Sequence, residues 1–430
     1  MYRKKINRGK SFGKRTSTAN PRFKRGGPKR SFSKPGYSKS GYSKSGYSRA
    51  GQFRKRAPKQ SRFSDISKFI NKAIPVQNTQ PYKAVNSFVD FNIDDRLKRN
   101  ITNAGYKEVM PIQDQAIPLV LEGRDIVGIA NTGTGKTAAF IIPLLDKVIK
   151  NKRQNVLIVA PTRELAIQIN QEFIKFAGGL GIFSVCTVGG MPIFRQMKDL
   201  RRNYNFIVGT PGRIKDLVNR GRLQLKSFQT IVLDESDRML DMGFIDDMRF
   251  LMSAMSDKKQ TLFFSATISN DIKSIINNFL KKPIHISVKT SDTASGVDQD
   301  VVYVKGKTKI DILHDLLEQP DFEKVLIFGK TRIGVERLSV LLSDRGIKVK
   351  SIHGSKNHSQ RQLALKDFKN NAIKVLVATD VAARGLDIPN VSHVINYELP
   401  STYEDYIHRI GRTGRAGKTG KALTFIEQKR

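Results

Sequence analysis

The chain has 430 residues, and its 76 Lys and Arg against 38 Asp and Glu give a formal net charge of +38. A field of this size favours a polyanionic partner, most commonly nucleic acid, and makes binding depend on salt. The single cysteine, Cys186, excludes an intramolecular disulfide and a multi-cysteine metal site. No apolar run approaches the roughly 18 residues that a membrane span needs, and the first residues do not resemble a signal peptide. These features predict a cytoplasmic protein that does not enter a membrane.

The N-terminal segment, residues 1–64, is rich in Lys, Arg, Gly, Ser and Tyr, and residues 1–62 hold 21 basic residues and no Asp or Glu. It contains a repeat, GYSKS at 36–40 and 41–45 followed by GYSRA at 46–50. Because it has too little apolar surface to fold, we predict a disordered tail. Aromatic residues spaced among cations suit loose stacking on the unpaired bases of a nucleic acid. The alternatives are a solubilising tail without a specific partner and a nuclear signal.

After the tail, a short helical pattern at Ile66, Phe69, Ile70 and Ala73 precedes the first domain. From about residue 86, short apolar runs alternate with amphipathic helical patterns, which is typical of βαβ units and parallel sheets. The runs lie at 125–130, 155–160, 205–209, 230–233 and 261–265, and then at 324–329, 373–378, 393–397 and 422–426. Residues 291–299 have little apolar content and are predicted as a linker. The fold class is therefore α/β, with one domain at 65–290 and a second at 300–430.

Polar residues follow the runs of the first domain, and ligands bind at the carboxyl ends of parallel strands. Ala130 to Thr137, ANTGTGKT, follow the first run and open an apolar helical stretch. In such a loop, glycines let backbone N–H groups face phosphates, Lys136 reaches the β- and γ-phosphates, and Thr137 can ligate Mg²⁺. The strict pattern has Gly where Ala130 stands, and the alternative is a glycine turn before a core helix. We predict a phosphate-binding loop.

Two acids, Asp234 and Glu235, end the fourth run. One carboxylate can hold Mg²⁺ while the other polarises an attacking water, and phosphoryl transfer needs both functions beside the lysine. An acidic strand end by itself is commonly a solvated cap. The nearby phosphate-binding loop favours the catalytic interpretation.

From about Phe88 to Phe425 the sequence resembles the DEAD-box RNA helicases of helicase superfamily two. The signature tetrad stands here as Asp234-Glu235-Ser236-Asp237, with Ser where the family usually has Ala, and we expect ATP hydrolysis to survive this change. The resemblance implies two tandem RecA-like domains with parallel sheets. It also implies an RNA-dependent ATPase that uses ATP and Mg²⁺ to unwind or remodel short RNA duplexes and RNA–protein complexes, with little sequence specificity.

In the first domain the resemblance assigns the adenine-reading Q motif to Gly105-Tyr106 and Ile112-Gln113, although Val109 and Met110 replace the usual Pro and Thr. The implied ATP-binding residues are Phe88, Gln113, Thr132, Gly133, Thr134, Gly135, Lys136 and Thr137, with Thr137 and Asp234 as metal ligands. The implied RNA contacts are Pro161, Thr162, Arg163, Gly189, Gly190, Thr210, Gly212 and Arg213. The residues that resemble a link between ATP state and domain closure are Asp237, Ser265 and Thr267.

In the second domain, residues 353–361 resemble an RNA-facing motif with Arg361 as the contact, although His358 stands where Gln is common. Residues 378–387, ATDVAARGLD, resemble a motif in which Thr379 and Arg384 touch RNA and Asp387 meets the ribose of ATP. Residues 408–415, HRIGRTGR, resemble a motif with His408 as a coupling residue and Arg412 and Arg415 as arginine fingers. A solvated basic loop is the alternative for this last segment.

The implied catalytic residues, Lys136, Glu235, Arg412 and Arg415, come from both domains, so hydrolysis requires the domains to close around ATP. RNA that binds across both domains would then reinforce ATP binding. The competing interpretations are an ATP-dependent RNA-binding clamp with little turnover, an RNA chaperone whose tail anneals strands, and a DNA helicase. We expect a monomer, because high net charge disfavours tight self-association, with RNP or ribosomal proteins as candidate partners.

Overall fold

The computed structural model describes residues 69–72, 82–131, 133–288, 296–383, 388, 390–414 and 419–427. The predicted disordered tail lies outside this part of the chain. In the described part, no helix is long and apolar enough to cross a membrane.

The first domain is built on a seven-stranded sheet in which every pair of neighbouring strands is parallel. Its strands are β1 (Ile126–Ile129), β2 (Val156–Val159), β3 (Ser184–Thr187), β4 (Phe206–Gly209), β5 (Thr230–Leu233), β6 (Gln260–Ser265) and β7 (Ile284–Ser287). Their order across the sheet is β3-β4-β2-β5-β6-β1-β7. The strands β2, β4, β5 and β6 are buried along their whole length, as expected when helices cover both faces of a parallel sheet.

The helices of the first domain are α1 (Asp95–Asn103), α2 (Pro111–Leu121), α3 (Lys136–Lys150), α4 (Arg163–Ala177), α5 (Ile193–Asp199), α6 (Pro211–Asn219), α7 (Ser236–Asp241), α8 (Ile245–Ser253) and α9 (Asn270–Phe279). Local signals start several of them. The Thr162 hydroxyl caps α4 and the Ser269 hydroxyl caps α9, each accepting a backbone N–H of the first turn. Two hydrophobic clusters result, one around Phe140 and Phe264 and the other around Ile231 and Phe263.

The second domain has a six-stranded parallel sheet in the order β10-β11-β9-β12-β13-β8. Its strands are β8 (Val297–Val304), β9 (Val325–Gly329), β10 (Val349–Ile352), β11 (Val375–Thr379), β12 (His393–Asn396) and β13 (Gly420–Glu427). Its helices are α10 (Lys309–Leu317), α11 (Arg332–Ser343), α12 (His358–Lys369), α13 (Asp380–Ala383) and α14 (Tyr403–Ile410).

The prediction of two parallel-sheet α/β domains is confirmed. Each of the nine predicted apolar runs overlaps a strand, whereas β3, β7, β8 and β10 were not predicted. The last three residues of the predicted linker, 297–299, belong to β8 instead. They pair with β13, and the side chain of Val297 is fully buried.

The segment Phe69–Lys72 follows its predicted helical pattern only in part. Ile66 and Ala73 lie outside the described residues, but Phe69 is buried and Ile70 is exposed. Asn71 forms an antiparallel bridge with Gln299 of β8, with both backbone hydrogen bonds made. The helical prediction therefore holds for Phe69, which lies in a 3₁₀ turn, and is wrong for Asn71, whose backbone pairs with a sheet edge of the second domain.

Candidate nucleotide and RNA site

A cavity of about 420 Å³ lies beside the phosphate-binding loop and receives side chains from both domains. We call it the interdomain cavity. Its lining includes Gly133, Gly135, Lys136, Thr137, Asp234, Glu235 and Arg412. Its volume lies within the usual range of small-molecule sites. The structure thus brings together the predicted lysine, the acid pair and one of the two predicted arginine fingers.

The phosphate-binding loop joins the end of β1 to the start of α3. Gly133 and Gly135 have φ values of 86° and 89°, which glycine adopts without strain. A Cβ at position 135 would lie 2.5 Å from Nε2 of Gln113, so this glycine is also required by close packing. Thr134 Oγ1 donates to the carbonyl oxygen of Asn131 at 2.8 Å, and Lys136 Nζ donates to that of Ala130 at 2.8 Å. Thr132 lies outside the described residues.

The predicted Q motif packs directly on this loop. Gln113 is fully buried, and its Nε2 donates to the carbonyl oxygen of Gly135 at 3.1 Å while its Oε1 accepts the N–H of Met110. Phe88 is buried and contacts Tyr106 edge to face, with ring centroids 6.1 Å apart. Tyr106 in turn lines the interdomain cavity. The structure therefore puts Phe88 one ring away from the cavity lining.

Asp114, next to Gln113, fixes the chain that enters the first domain. Its carboxylate accepts hydrogen bonds from Tyr82 Oη, Val85 N and both nitrogens of Asn86, at 2.7 to 3.1 Å. Burial alone would raise the pKa of Asp114, but these donors lower it overall. The carboxylate therefore stays charged and anchors the segment 82–86 beside the cavity.

The acid pair sits where β5 ends. The pKa of Asp234 is raised overall. Burial is the largest cause, the nearby carboxylates of Glu235 and Asp237 add to it, and Lys136 acts in the opposite direction. Glu235 has a left-handed backbone with φ of 50°, which is uncommon for a residue with a side chain. Its Oε2 accepts a hydrogen bond from Arg238 Nη1 at 3.2 Å, and both side chains are buried. The strained turn and Arg238 together hold the Glu235 carboxylate at the cavity wall.

These residues fit a magnesium ion. A buried carboxylate with a raised pKa gains from a nearby cation, and Mg²⁺ is commonly held by one or two carboxylates together with substrate phosphates. Within the described residues no cluster of three His, Cys, Asp or Glu could hold a metal by itself. Thr137 and Asp234 line the same cavity and supply the hydroxyl and carboxylate that such a site needs.

Asp237 connects the acidic turn to the end of β6. Its Oδ2 accepts from the backbone N–H groups of Ala266 and Thr267, both at 3.0 Å, and from Thr267 Oγ1 at 3.3 Å. Ser265 Oγ accepts the N–H of Asp237 and donates to the carbonyl oxygen of Thr267. Burial raises the pKa of Asp237, but Arg238, Lys136 and His408 lower it overall. The three predicted coupling residues of the first domain therefore form one hydrogen-bonded unit.

Ser236, the departure from the usual family residue, is fully buried. Its hydroxyl lies 3.1 Å from the carbonyl oxygen of Leu233 and 3.2 Å from that of Phe264. The hydroxyl therefore points toward the ends of β5 and β6, away from the acid pair.

The predicted RNA residues of the first domain cluster around Arg163. A Cβ at Gly190 would lie 1.9 Å from Arg163 Nη1, and Gly190 has a φ of 74°, so both packing and backbone require glycine. Pro161 and Thr162 are buried at the start of α4, where the Thr162 hydroxyl serves as the helix cap. Gly189 packs on the same guanidinium.

Thr210 and Gly212 begin α6, where Thr210 is buried as the N-cap residue. Arg213 Nη1 donates to the carbonyl oxygen of Met191 at 3.2 Å, and burial is the largest cause that lowers the pKa of its guanidinium. The predicted contacts of α4 and α6 thus converge on the segment 189–191.

Arg361, which was predicted to contact RNA, forms an ion pair with a residue of the first domain. Its Nη2 lies 2.6 Å from Oε2 of Glu164, and the two side chains are 10% and 2% exposed. Glu164 belongs to the first domain and Arg361 to the second, so this buried ion pair joins the domains. In the described structure Arg361 therefore faces a protein carboxylate. His358 begins α12 and lines a separate cavity beside α4 and β3.

The sixth predicted motif lies on and after α14. Arg409 is 2% exposed, and its guanidinium makes two bonds to Asp380, at 2.6 and 2.7 Å, and one to the carbonyl oxygen of Glu398. Arg412 follows the helix and lines the interdomain cavity. Thr379 is buried at the end of β11. Arg384, Asp387 and Arg415 lie outside the described residues.

The sequence analysis did not select three residues that the structure places at the site: Glu164, Arg238 and Arg409. One local signal could have found Arg238, because its spacing of three from Glu235 suits an ion pair on a helix. Glu164 and Arg409 were part of quoted motifs, but their partners lie far away in sequence.

The chain has two parallel-sheet domains that share one cleft. A phosphate-binding loop lies on one side of this cleft and an arginine on the other. This arrangement is that of proteins built from tandem RecA-like domains. Residues 110–275 match the DEAD/DEAH box helicase family, and residues 308–417 match the helicase conserved C-terminal domain. The DEAD-box ATP-dependent RNA helicase CshA of Bacillus subtilis (strain 168) is 46% identical over 342 residues, which cover 79% of this chain and 69% of that protein. The ATP-dependent RNA helicase CshA of Listeria monocytogenes is 45% identical over 80% of this chain and 66% of that protein.

The chain thus spans about two thirds of the length of these curated relatives. Among solved structures, Mss116p bound to ssRNA and AMP-PNP is 31% identical, with a TM-score of 0.73 over 83% of this chain and 78% of that chain. S. cerevisiae Dbp5 bound to RNA and ADP BeF3 is 31% identical, with a TM-score of 0.71 over 80% of this chain and 90% of that chain. The chain belongs to the DEAD-box ATP-dependent RNA helicases.

Proposed function

We propose that this chain hydrolyses ATP in the interdomain cavity when RNA is bound, and that the accompanying domain closure unwinds or remodels RNA locally. One observation carries the proposal: Lys136, Asp234 and Glu235 of the first domain line the same cavity as Arg412 of the second. Neither domain supplies the whole set. Hydrolysis therefore depends on how the domains are placed, and RNA that binds across both can control it.

Within this site, Lys136 binds the β- and γ-phosphates, and Glu235 orients the attacking water. Arg412 and Arg415 stabilise the charge that develops on the transferred phosphoryl group, a contribution on the order of a thousandfold or more in rate. Gln113, which already contacts the loop, reads adenine, with Phe88 behind the base site and Asp387 on the ribose. Thr132, Gly133, Thr134 and Gly135 present backbone N–H groups to the phosphates.

Thr137 and Asp234 would hold Mg²⁺, which would supply positive charge that offsets the charge of the ATP phosphates. The buried position and raised pKa of Asp234 support this role, since a cation at this carboxylate would offset its burial.

The tetrad Asp234-Glu235-Ser236-Asp237 is, in our proposal, this chain's form of the family signature. The hydrogen bonds from Ala266 and Thr267 to Asp237 support a role for Asp237, Ser265 and Thr267 in passing changes at the acid pair to the end of β6. His408 affects the pKa of Asp237 and so extends this coupling to the second domain.

The RNA path runs over Pro161, Thr162, Arg163, Gly189, Gly190, Thr210, Gly212 and Arg213 in the first domain and Thr379 and Arg384 in the second. These are arginines, hydroxyls and glycine backbone, which suit sugar and phosphate contacts and carry little sequence information. Their choice of RNA over DNA would rest on the 2′-hydroxyl groups. For Arg361 we propose closure of the domains through Glu164 in place of a direct RNA contact.

The division of the chain into domains near residue 290, a monomeric state, RNP partners and a cytoplasmic location stay predictions. The high net charge supports the monomer, because like charges repel in a homodimer.

The test is steady-state ATP hydrolysis with Mg²⁺ at fixed salt, without nucleic acid and with single-stranded RNA or DNA of one sequence. We expect strong stimulation by RNA alone, and a Glu235→Gln variant that binds ATP but does not hydrolyse it. Equal stimulation by DNA would favour a DNA helicase. Absence of stimulation in protein that binds both ATP and RNA would contradict the proposal and indicate a clamp.

A further inference from the structure

The segment Phe69–Lys72 precedes the first domain in sequence but packs on the second. Phe69 is 1% exposed and belongs to a hydrophobic cluster with Val297 of β8, Ala422 of β13, and Tyr406 and Ile410 of α14. Its ring meets that of Tyr406 edge to face, with centroids 4.8 Å apart. A side chain buried this completely gives the segment a defined docking position.

Backbone pairing adds a second contact. Strand β8 ends the order of its sheet and pairs with β13 on one side. On its other side, Asn71 N donates to the carbonyl oxygen of Gln299 at 3.1 Å, and Gln299 N donates to that of Asn71 at 2.7 Å. Lys72 Nζ lies 3.5 Å from Asp298 Oδ1, with the two side chains 80% and 35% exposed. The segment therefore pairs with the edge of the sheet through one antiparallel bridge.

These contacts reach the helix that precedes Arg412. Tyr406 Oη donates to Gln299 Oε1 at 3.0 Å, so the residue that pairs with Asn71 also holds α14. The ion pair between the buried Arg409 and the partly exposed Asp380 holds the same helix at a second point. The docked segment and this ion pair together fix α14, and Arg412 follows the helix by two residues.

The chain is also fixed on the first domain, because Tyr82, Val85 and Asn86 bond to Asp114 beside Gln113. Nine residues, 73–81, connect the two anchored stretches and lie outside the described residues. One continuous piece of chain is thus attached to the α14 face of the second domain and to the Q-motif side of the first.

We propose that Phe69–Lys72 is a strap that docks on the second domain, and that Phe69 is a positioning residue which, through Tyr406, holds α14 and Arg412 at the interdomain cavity. The effect on catalysis rests on the proposed function, whereas docking itself does not. Strap loss acts on the second domain and leaves Lys136 and Gln113 in place. It therefore lowers the catalytic rate and spares ATP affinity.

The kinetic test compares Phe69→Ala with Ile70→Ala in the full chain. Ile70 is the matched control, because it is the adjacent residue and is exposed. Losing one buried aromatic side chain weakens docking roughly ten- to a hundredfold. We expect Phe69→Ala to lower kcat of RNA-stimulated ATP hydrolysis by about tenfold, with KM for ATP within about twofold, and Ile70→Ala to behave as wild type. Asn71→Pro, which removes the N–H donor, should shift kcat in the same direction.

Equal kcat in Phe69→Ala and Ile70→Ala, with wild-type hydrolysis intact, would overturn the positioning role. A proportional loss of kcat and ATP affinity, or loss of the cooperative unfolding transition, would indicate a general structural defect and would also overturn it. If wild-type protein shows no RNA-stimulated hydrolysis, the proposed function fails instead, and docking is then decided by cross-linking.

The docking test uses the double variant Lys72→Cys with Asp298→Cys. In the register set by Asn71 and Gln299 these positions face each other, at a separation that a disulfide can span. Mild oxidation should give an intramolecular disulfide, seen as a monomer of altered mobility on a non-reducing gel, whereas Ile70→Cys with Asp298→Cys should cross-link at least tenfold more slowly. The cross-linked protein should retain RNA-stimulated ATP hydrolysis. A cross-linked dimer would assign the strap to a second copy of the chain, and equal cross-linking in both variants would show that it is not docked. Either result would overturn the proposal.

Discussion

The ion pair between Glu164 and Arg361 gives the sharpest test of how the two domains are held together. The Nη2 to Oε2 distance is 2.6 Å and both side chains are largely buried. Glu164 Oε1 and Arg361 Nε are buried without a hydrogen-bond partner among the described residues, so a single nitrogen–oxygen contact joins the two charged groups. Replacing Glu164 by Gln keeps the shape but removes the charge. A polar contact to a charged group is stronger than one to a neutral group by about 1 to 2 kcal/mol.

That free energy favours the closed arrangement only, since both groups regain water when the domains separate. Losing this free energy lowers the equilibrium constant for domain closure roughly 5- to 30-fold. We expect Glu164→Gln and Arg361→Gln each to raise the RNA concentration for half-maximal stimulation of ATP hydrolysis by about that factor. The double variant should be little worse than either single variant, because the first change already removes the contact.

The assay is a double-mutant cycle on this RNA concentration at fixed salt and saturating ATP, with Arg249→Gln as control. Arg249 is an exposed helical arginine, so this variant removes one positive charge without touching the interface. A coupling free energy of about 1 to 2 kcal/mol is the expected result. Additive effects within about 0.3 kcal/mol would refute the reasoning. If only Arg361→Gln had an effect, Arg361 would be an RNA contact, as the sequence alone suggested.

Three further predictions concern stability and the tail. Ser236→Ala should change ATP hydrolysis by less than about twofold, because its hydroxyl faces strand carbonyls, and should lower the free energy of unfolding by about 1 kcal/mol in chemical denaturation. His393 is buried against Phe322, and burial lowers its pKa to about 4, below its value in the unfolded chain. Its contribution to stability is thus complete above about pH 6.5 and is lost as the pH falls toward 4, so His393→Gln should reduce the loss of unfolding free energy between pH 7.5 and 5 by about 2 kcal/mol. Deleting residues 1–62 should weaken RNA binding and reduce the slope of log affinity against log salt by about 3, which corresponds to roughly four phosphate contacts, with RNA-independent ATP hydrolysis unchanged. An unchanged slope would contradict tethering by the tail.

The strands that sequence patterns missed share a physical property. β3 and β7 are the two edges of the first sheet, and β10 and β8 are the two edges of the second. An edge strand is partly exposed and so does not need a continuous apolar run, as the sequences SVCT, IHIS and VKSI show. Interior strands such as VLIV and FIVG are buried on both faces, and their composition reveals them.

The site divides in a similar way. The phosphate-binding loop and the acid pair are local in sequence, so spacing and flanking strands were enough to predict them. Contacts between distant segments were not predictable, because the local sequence pattern around each residue does not indicate which distant side chain it contacts. The contact of Arg361 with Glu164 and the pairing of Asn71 with Gln299 of β8 each join segments that lie far apart in the sequence. The RNA contacts of Arg361, Pro161 and Thr162 stay predictions; the last two residues are buried at the start of a helix.

The position of the strap also bears on how the protein behaves in solution. An uncovered strand edge offers unpaired N–H and C=O groups to other molecules and is a common origin of aggregation. Asn71 occupies part of the β8 edge, and Phe69 covers the apolar side chains of Val297 and Tyr406. A shortened chain that starts after Lys72 would uncover both surfaces at once. Such a chain would aggregate, which would be seen first as precipitation and low yield. Shortened chains intended for crystallisation should therefore retain Phe69.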